Sequence, residues 1–498
     1  MQRSRKSGIL LHPTSLPGPG GIGALGDGAR RFIDFLRSAG QSLWQMLPLG
    51  PVSIGSSPYS CYSAFAGNPL LIDLDTIAEE GDISPAGLQE QLSDDRVDFG
   101  RVEQYKMGLL RSAASRFFAG HDSVRRDDYE GFCATTPWLR DYSLFMAMKE
   151  AFQGKSWRSW PEEIVRRRPE ALVDYSQRLA TGVNEHNYMQ WQFHRQWRSI
   201  RQHAADRGVE LVGDLPIFVA FDSADVWANP HLFHLDEKGR PTVVAGVPPD
   251  YFSETGQLWG NPLYNWEMIA YEGYGWWVDR MRCSLALFDM VRVDHFRGFE
   301  SYWEVPATEK TARNGRWVKG PGIDLFNALS DTLGPLPVIA EDLGVITPDV
   351  EALRDRCGFP GMRILQFAFG SGPDNPYLPH NYERETVVYT GTHDNDTTAG
   401  WFASLQGKEK EAVCGYIGSD GRDIVRDLIR IALASVARLA VIPLQDVLGL
   451  DSSARMNVPG TPAGNWSWRC PPGAIDEGCA ARLRGMTEMY GRCGQKRS

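Results

Sequence analysis

The chain has 498 residues, a length that suits either one elaborated barrel or several smaller domains. Its 52 Lys and Arg residues and 62 Asp and Glu residues give a formal net charge of −10, and a surface of that sign repels nucleic-acid phosphates and anionic lipids. The negative charge therefore predicts that the protein has no nucleic-acid or membrane partners. Because 42% of the residues are hydrophobic, the composition is that of a soluble globular protein.

The first residues and the cysteines favour a cytoplasmic protein. The basic start is followed by an apolar run from Ile9 to Leu11 only, which is too short for the core of a signal peptide. The eight cysteines include no C-x-x-C pair, which argues against a zinc ribbon and against a disulfide scaffold. The most apolar later stretch, 428–444, is interrupted by Arg430 and Arg438 and is not expected to span a bilayer.

Short apolar, branched segments recur along the chain and are typical of strands that are buried on both faces. The candidate strands are 8–16, 43–50, 210–219, 285–296, 336–344, 361–369, 386–393 and 439–448. Helical patterns follow several of them, at 28–39, 348–356 and 398–405, as parallel strands with crossover helices require. Eight such units predict an α/β fold, a (β/α)8 TIM barrel.

The candidate strands are unevenly spaced, and no long linker or internal repeat divides the chain. We therefore expect a single elaborated catalytic domain, 1–498, with inserted subdomains in the loops that follow strands. The intervals predict insertions at 52–209, after the second strand, and at 221–284, after the third. In barrel enzymes the chemistry lies at the carboxyl ends of the strands, where such insertions form the walls of a cleft.

Acidic residues end four of the candidate strands: Asp214, Asp294, Glu341 with its neighbour Asp342, and Asp394. Any one of them could be a helix N-cap or half of a structural ion pair. Four acids at one barrel mouth instead favour a catalytic site. Two carboxyl groups beside a glycosidic oxygen are what glycoside chemistry needs, one to protonate the leaving group and one to attack the anomeric carbon.

Arg292 precedes Asp294 by two residues, so the strand period of two places both side chains on the same face. A guanidinium there would keep Asp294 ionised, as a nucleophile requires. The alternative is that Arg292 only neutralises a barrel acid. Glu341 and Asp342 are adjacent and point in opposite directions, so spacing does not choose between them.

The segment 246–262 is rich in Gly and Pro, yet it carries the rings of Tyr251, Phe252 and Trp259. Such a composition predicts a loop that acts as a lid or as a stacking platform for sugar rings, with a packed surface loop as the alternative. Tyr59, in a turn after the second strand, offers a second stacking surface.

Two further motifs resemble a dinucleotide site and a calcium loop, but each departs from the pattern that such a site requires. Residues 18–23 fit G-x-G-x-x-G, but a proline separates the first two glycines and no acid ends the next candidate strand, as a dinucleotide site requires. Residues 393–396 begin like a calcium loop, but Ala399 and Leu405 stand where the template has Gly and Glu. We expect no cofactor and no metal.

Taken together, these motifs resemble the 4-α-glucanotransferases of glycoside hydrolase family 77, also called amylomaltases or disproportionating enzymes. The likeness runs nearly from end to end and rests on an ordered set of motifs. They are GILLHPTSLPG (8–18), SAFAGNP (63–69), DSADVWANP (222–230), the segment 246–266, RVDHFRGF (292–299), AEDLG (340–344), GTHDN (391–395) and NVPGT (457–461).

The resemblance implies roles for three acids: Asp294 as the nucleophile, Glu341 as the general acid/base and Asp394 as a third acid that binds sugar hydroxyls. It also implies a set of substrate-binding residues. They are Tyr59, Asp214, Phe252, Trp259, Asn261, Arg292, His393 and Asn465. Some relatives have an aromatic residue where this chain has Ile54 and where it helps to form a remote glucan groove, so the sequence leaves open whether this chain has that secondary site.

The implied reaction moves a 1,4-α-glucan segment to the 4-hydroxyl of another glucan or of glucose, by a retaining double displacement. Donors and acceptors would be maltooligosaccharides, amylose and glucose, and no cofactor takes part. The first alternative is a retaining α-glucan hydrolase that uses the same acids with water as the acceptor. The second is a glucan-binding protein without catalytic activity.

Overall fold

The computed structural model describes residues 4–88, 92–249, 253–461 and 463–494, which form two β-sheets surrounded by helices. The strands are β1 (Lys6–Leu10), β2 (Leu43–Gln45), β3 (Glu210–Leu215), β4 (Val243–Val247), β5 (Gln257–Pro262), β6 (Met290–Val293), β7 (Ser301–Pro306), β8 (Arg316–Lys319), β9 (Val338–Ala340), β10 (Gly361–Ile364), β11 (Thr386–Tyr389) and β12 (Leu439–Pro443). The α-helices are α1 (Asp27–Ser38), α2 (Leu74–Glu79), α3 (Phe99–Ala119), α4 (Ser123–Thr135), α5 (Leu139–Ala151), α6 (Glu162–Val165), α7 (Pro169–Arg178), α8 (Ala180–Arg207), α9 (Ala224–Ala228), α10 (Trp266–Tyr271), α11 (Gly275–Leu287), α12 (Gly322–Leu333), α13 (Pro348–Cys357), α14 (Thr398–Ser404), α15 (Gly407–Ile417), α16 (Ile424–Ala434), α17 (Leu444–Val447) and α18 (Glu477–Met489).

Eight parallel strands form the barrel, in the order β10-β11-β12-β1-β2-β3-β6-β9. The ring is completed between β9 and β10, where the amide of Ala340 donates to the carbonyl of Pro360 at 3.0 Å. Each barrel strand overlaps one of the eight predicted segments, and the predicted (β/α)8 barrel is confirmed. The segment 285–296 began too early because its first apolar residues, Leu285 and Leu287, belong to the end of α11.

The helices that follow β1, β9 and β11 are α1, α13 and α14, close to their predicted bounds. One face of α1 is apolar and buried, and its Phe32 meets the edge of Trp44 on β2, with ring centroids 4.9 Å apart. The longest described helix, α8, ends at Arg207, and the left-handed conformation of the following Gly208 (φ 68°) turns the chain into β3. The barrel and its surrounding helices share one extensive apolar core.

The other sheet is antiparallel, in the order β5-β4-β7-β8. It corrects the prediction of a loop at 246–262, because the end of β4 and all of β5 lie within that segment. Glycine and proline masked the strand pattern: the pairing is irregular between Val244 and Gly246, and Gly260 adopts a positive φ of 79°. The boundaries 52–209 and 221–284 for inserted subdomains stay predictions.

Most of the tryptophan surface is used in packing. The indoles of Trp44, Trp157, Trp191, Trp197, Trp227 and Trp277 are fully buried. In the part of the chain that the structure describes, only Trp259 and Trp317 keep strongly exposed rings, and both belong to the antiparallel sheet. No described helix combines the length and the apolar character needed to cross a bilayer.

Candidate active site

A buried guanidinium joins two of the predicted acids at the mouth of the barrel. Asp214 on β3 is the direct cross-strand partner of Arg292 on β6, and Nη1 of Arg292 donates to both carboxylate oxygens of Asp214 at 2.8 and 2.7 Å. Nη2 of Arg292 lies 2.9 Å from Oδ1 of Asp294, which directly follows β6. Burial alone would lower the pKa of Arg292, but the charges of Asp214 and Asp294 raise it well above its ordinary value. Arg292 therefore stays charged.

Glu341 and Asp342, which follow β9, have separate environments. Oε2 of Glu341 accepts a hydrogen bond from the amide of His295 at 2.6 Å, so this carboxyl group lies beside the residue that follows Asp294. Asp342 is buried in a structural network, where it accepts from the amide of Met362 at 2.6 Å and from Nη1 of Arg354 at 2.6 Å. The geometry thus places Glu341, and not Asp342, next to Asp294.

The environment of Glu341 favours its protonated form. Burial, followed by the negative charge of Asp294, raises the pKa of Glu341 to about 8, although Arg292 opposes the shift. Asp294 differs, because its side chain is 28% exposed and is paired with Arg292. Glu341 is therefore suited to hold a proton, and Asp294 is in ion-pair contact with a guanidinium, which is the arrangement of an acid beside a nucleophile.

His295 connects this pair to an aromatic wall. It is a non-glycine residue in the left-handed region (φ 51°), and in this conformation its amide reaches Glu341. Burial lowers the pKa of His295 to about 4, so the ring is neutral at physiological pH. The edge of His295 meets Trp259, with ring centroids 4.8 Å apart and an interplanar angle of 80°.

Trp259 and Asn261 both lie on β5. The indole of Trp259 is 38% exposed, whereas the amide of Asn261 is engaged with the protein, since Nδ2 donates to the carbonyl of Val219 at 2.9 Å. Phe252 lies outside the described residues, as does the side chain of Ile54.

A second group of rings lies beside Asp214. The hydroxyl of Tyr59 donates to Oδ2 of Asp214 at 2.7 Å, and its ring stacks on His393 with centroids 5.1 Å apart. Trp466 approaches both rings, at 6.0 Å from Tyr59 and 5.9 Å from His393. Sequence reasoning did not assign Trp466 to the site. Its one signal was that it follows Asn465, a predicted binding residue.

Asp394, after β11, is the most accessible of the predicted acids, with 49% of its side chain exposed. Nδ2 of Asn457 donates to its Oδ1 at 2.6 Å, and Nε2 of His393 is 3.4 Å from the same oxygen. The side chain of Asn465 instead braces its own loop: it accepts from the amide of Val458 at 2.9 Å and donates to Thr461. A direct contact of Asn465 with sugar stays a prediction.

Sequence reasoning also missed Asn457 and Asp446. Asn457 opens the NVPGT motif, but nothing in its spacing indicated a contact with Asp394. Asp446 lies within the eighth candidate segment, where it could have been noticed. It is buried and accepts hydrogen bonds from Thr390 Oγ1 at 2.5 Å and from the amide of Thr398 at 2.7 Å, so its role is to hold the loop after β11. In the described ranges no cluster of three or more His, Cys, Asp or Glu side chains could hold a metal ion.

A comparison with known proteins connects this geometry to a family. The model of glycoside hydrolase family 77, described as 4-alpha-glucanotransferase, matches residues 11–475. The chain belongs to the 4-alpha-glucanotransferase family. A 4-alpha-glucanotransferase of Synechocystis sp. is 52% identical to this chain and covers 99% of it and 99% of its own length. The 4-alpha-glucanotransferase of Thermus thermophilus is 51% identical, over 99% of this chain and 100% of its own.

A solved structure agrees with this membership. The amylomaltase of Streptococcus agalactiae, in complex with acarbose, superposes with a TM-score of 0.96 at 38% identity and covers 98% of this chain and 100% of its own. The resemblance predicted from the motifs is confirmed, and so is 4-alpha-glucanotransferase activity.

Proposed function

We propose that this enzyme transfers a 1,4-α-glucan segment to the 4-hydroxyl of another glucan or of glucose, by a retaining double displacement at Asp294 and Glu341. The observation that carries the proposal is the pair itself. Asp294 is held beside the charged Arg292, while burial and Asp294 raise the pKa of Glu341 to about 8. A nucleophile and an acid with these properties are what the first step requires.

In the first step a carboxylate oxygen of Asp294 attacks the anomeric carbon of the donor. The bond from that carbon to the glycosidic oxygen breaks, and the leaving oxygen takes the proton of Glu341. The product is a glycosyl ester on Asp294. Arg292 loses one anionic partner but keeps its two hydrogen bonds to Asp214, so the guanidinium is never left unpaired.

The second step uses the electrostatic change that the first step produced. The ester no longer carries the negative charge that helped to raise the pKa of Glu341. Glu341, now an anion, accepts two backbone hydrogen bonds and takes the proton of the acceptor 4-hydroxyl. The acceptor oxygen then displaces Asp294 from the face opposite the ester, and two inversions give net retention.

The surrounding residues are assigned to substrate binding. Asp214, His393 and Asp394 offer polar atoms to sugar hydroxyls, while Tyr59 and Trp259 offer ring faces. The relative from Streptococcus agalactiae is solved with acarbose, and we propose that the cleft of this chain binds acarbose as well. Maltooligosaccharides, amylose and glucose are the proposed donors and acceptors.

Product analysis on pure maltotriose tests the reaction. Transfer yields glucose together with maltopentaose and longer chains. Glucose and maltose without longer products would instead identify the enzyme as a hydrolase and would overturn the proposed transfer.

The raised pKa of Glu341 predicts how the reaction depends on pH. The protonated form is the acid, so kcat/KM for maltotriose is expected to be highest below about pH 8 and to fall as the pH rises through that value. The measurement is the pH profile of kcat/KM, which reports ionisations of the free enzyme. With α-maltosyl fluoride as the donor, the same decline should weaken, because fluoride leaves with little protonation. A decline that begins near the ordinary carboxyl value of 4.5 contradicts the role of burial.

Trp259→Ala tests how the acceptor competes with water for the covalent intermediate. A sugar acceptor wins only when it is bound and oriented beside the ester. Losing one stacking face should weaken that binding enough to raise the share of intermediate lost to water about tenfold. The readout is the number of reducing ends gained for each glycosyl unit transferred.

Leu258→Ala is the matched control, since Leu258 is the exposed neighbour of Trp259 on β5. It should leave the ratio of transfer to hydrolysis close to that of the parent. An unchanged ratio in Trp259→Ala would show that acceptor selection lies elsewhere in the cleft.

A further inference from the structure

Two tryptophans on the antiparallel sheet form an aromatic surface that the proposed reaction does not use. Trp303 on β7 and Trp317 on β8 are direct cross-strand partners, so their side chains lie on the same face of the sheet. Their ring centroids are 5.1 Å apart and the rings are inclined by 68°. Trp317 is 42% exposed. We call these two residues the Trp303–Trp317 pair.

The ring of Trp317 is held in place by a buried cation. Cζ of Arg297 lies 3.9 Å from the centroid of the indole, and the guanidinium is itself bonded to the carbonyl of Val345 and, at 3.4 Å, to Oγ of Ser301. A stacked guanidinium covers one face of the indole and leaves the rest of the ring accessible. A ring fixed in this way loses little conformational freedom when a ligand stacks on it.

The Trp303–Trp317 pair is linked through Arg297 to the turn after β6, which also contains Asp294 and His295. Arg297 follows Asp294 by three residues, which span at most about 10 Å. The same turn contacts Trp259 through His295. The turn after β6 therefore touches one exposed indole through His295 and the other through Arg297.

The charges around the Trp303–Trp317 pair suit a neutral ligand. On the face that carries the two indoles, the exposed Lys319 pairs with Glu300 and lies 3.5 Å from Asp349, and the second cation is Arg297 over Trp317. Two cations and two anions leave no net charge, so the surface has no preference for nucleic acid or for a strongly charged protein. A flat indole between paired polar groups is complementary to a sugar ring, which has an apolar C–H face and a rim of hydroxyls.

We propose that the Trp303–Trp317 pair is a binding site for an α-1,4-glucan segment outside the catalytic cleft. The identity of the ligand rests on the proposed function. Polymeric glucan held there remains close to the cleft, which raises its effective concentration at Asp294. A trisaccharide that occupies the cleft gains nothing from this site, so the effect is specific to long chains.

Two substitutions at one position separate stacking from packing. Trp317→Leu keeps an apolar cover over Arg297 but removes the flat ring, and Trp317→Phe keeps a smaller flat ring. We expect the KM for amylose to rise about threefold to tenfold in Trp317→Leu and less in Trp317→Phe, the size of effect that losing one stacked ring produces. The KM and kcat for maltotriose should stay within about twofold of the parent. Tyr271→Leu, which removes an 87% exposed ring on α10, is the matched control. It should change neither the KM for amylose nor the KM and kcat for maltotriose.

Binding is measured directly by native electrophoresis through gels that contain amylose, with Asp294→Asn in every protein so that the glucan is not consumed. Trp317→Leu should be retarded less than its parent. Equal retardation overturns the inference, and so does a parallel loss on amylose and maltotriose, which would mean that Trp317 acts only by supporting Arg297. Self-association of the parent that Trp317→Leu abolishes would assign the surface to a second copy and would also overturn it. A failure of the proposed function would show itself in a different experiment, as the absence of longer products when the parent enzyme acts on maltotriose.

Discussion

Asp294→Asn is expected to lower the turnover of maltotriose by several powers of ten while the fold is retained. An amide has nearly the volume of the carboxylate but cannot form the glycosyl ester, and loss of a covalent catalyst removes a large part of the rate enhancement. The fold should survive because Arg292 keeps both hydrogen bonds to Asp214, so no buried cation is left without a partner.

The measurement combines turnover with circular dichroism and with binding of acarbose. A variant that folds and binds acarbose but does not turn over identifies a chemical role for Asp294. Activity within about tenfold of the parent would show that another group is the nucleophile, since that loss is worth at most about 1.4 kcal/mol of barrier.

Glu341→Gln is expected to slow the turnover of ordinary glucans by about 10²- to 10⁴-fold, the usual contribution of a general acid. The first step with α-maltosyl fluoride should be much less affected, because its leaving group needs little protonation. Glutamine also lacks the base that activates the acceptor, so the glycosyl ester on Asp294 should accumulate. Rapid acid quenching followed by mass spectrometry of the protein would detect the added maltosyl unit.

Asp342→Asn is the control for this experiment because it changes the adjacent carboxylate. Asp342 accepts from Arg354 and from the amide of Met362, so its loss should lower stability without distinguishing the two donors. Equal losses on both donors in Glu341→Gln would contradict the acid role. A donor-dependent loss in Asp342→Asn together with none in Glu341→Gln would move that role to Asp342.

The barrel could be predicted because its strands are buried on both faces and appear in the sequence as short apolar runs. The antiparallel sheet could not be predicted, since β5 contains a glycine with positive φ and ends in proline, and the paired strands β4 and β7 are separated in the chain by β5 and β6. Pairing between such distant segments leaves no local pattern of alternating residues. The composition of the segment that carries Trp259 therefore predicts a loop, although the segment contains β5.

The candidate site was predictable where a strand leads directly into a polar residue, as at Asp294 and Glu341. The choice of Glu341 over Asp342 needed the orientation of each side chain, which spacing does not provide. The contact of Asn457 with Asp394 depends on a late loop returning to the end of β11. The cross-strand pairing of Asp214 with Arg292 depends on the register of two strands that are distant in sequence.

The antiparallel sheet also imposes an order on how the enzyme can be assembled during synthesis. β4 and β5 leave the ribosome before β6, while β7, whose Pro306 pairs with Val243 of β4, follows it. The hairpin of β4 and β5, which presents Trp259, therefore cannot form its hydrogen bonds to β7 until β6, the strand leading to Asp294, has been made. Nascent chains truncated after β5 should expose this hairpin to protease, and chains extended beyond β8 should protect it.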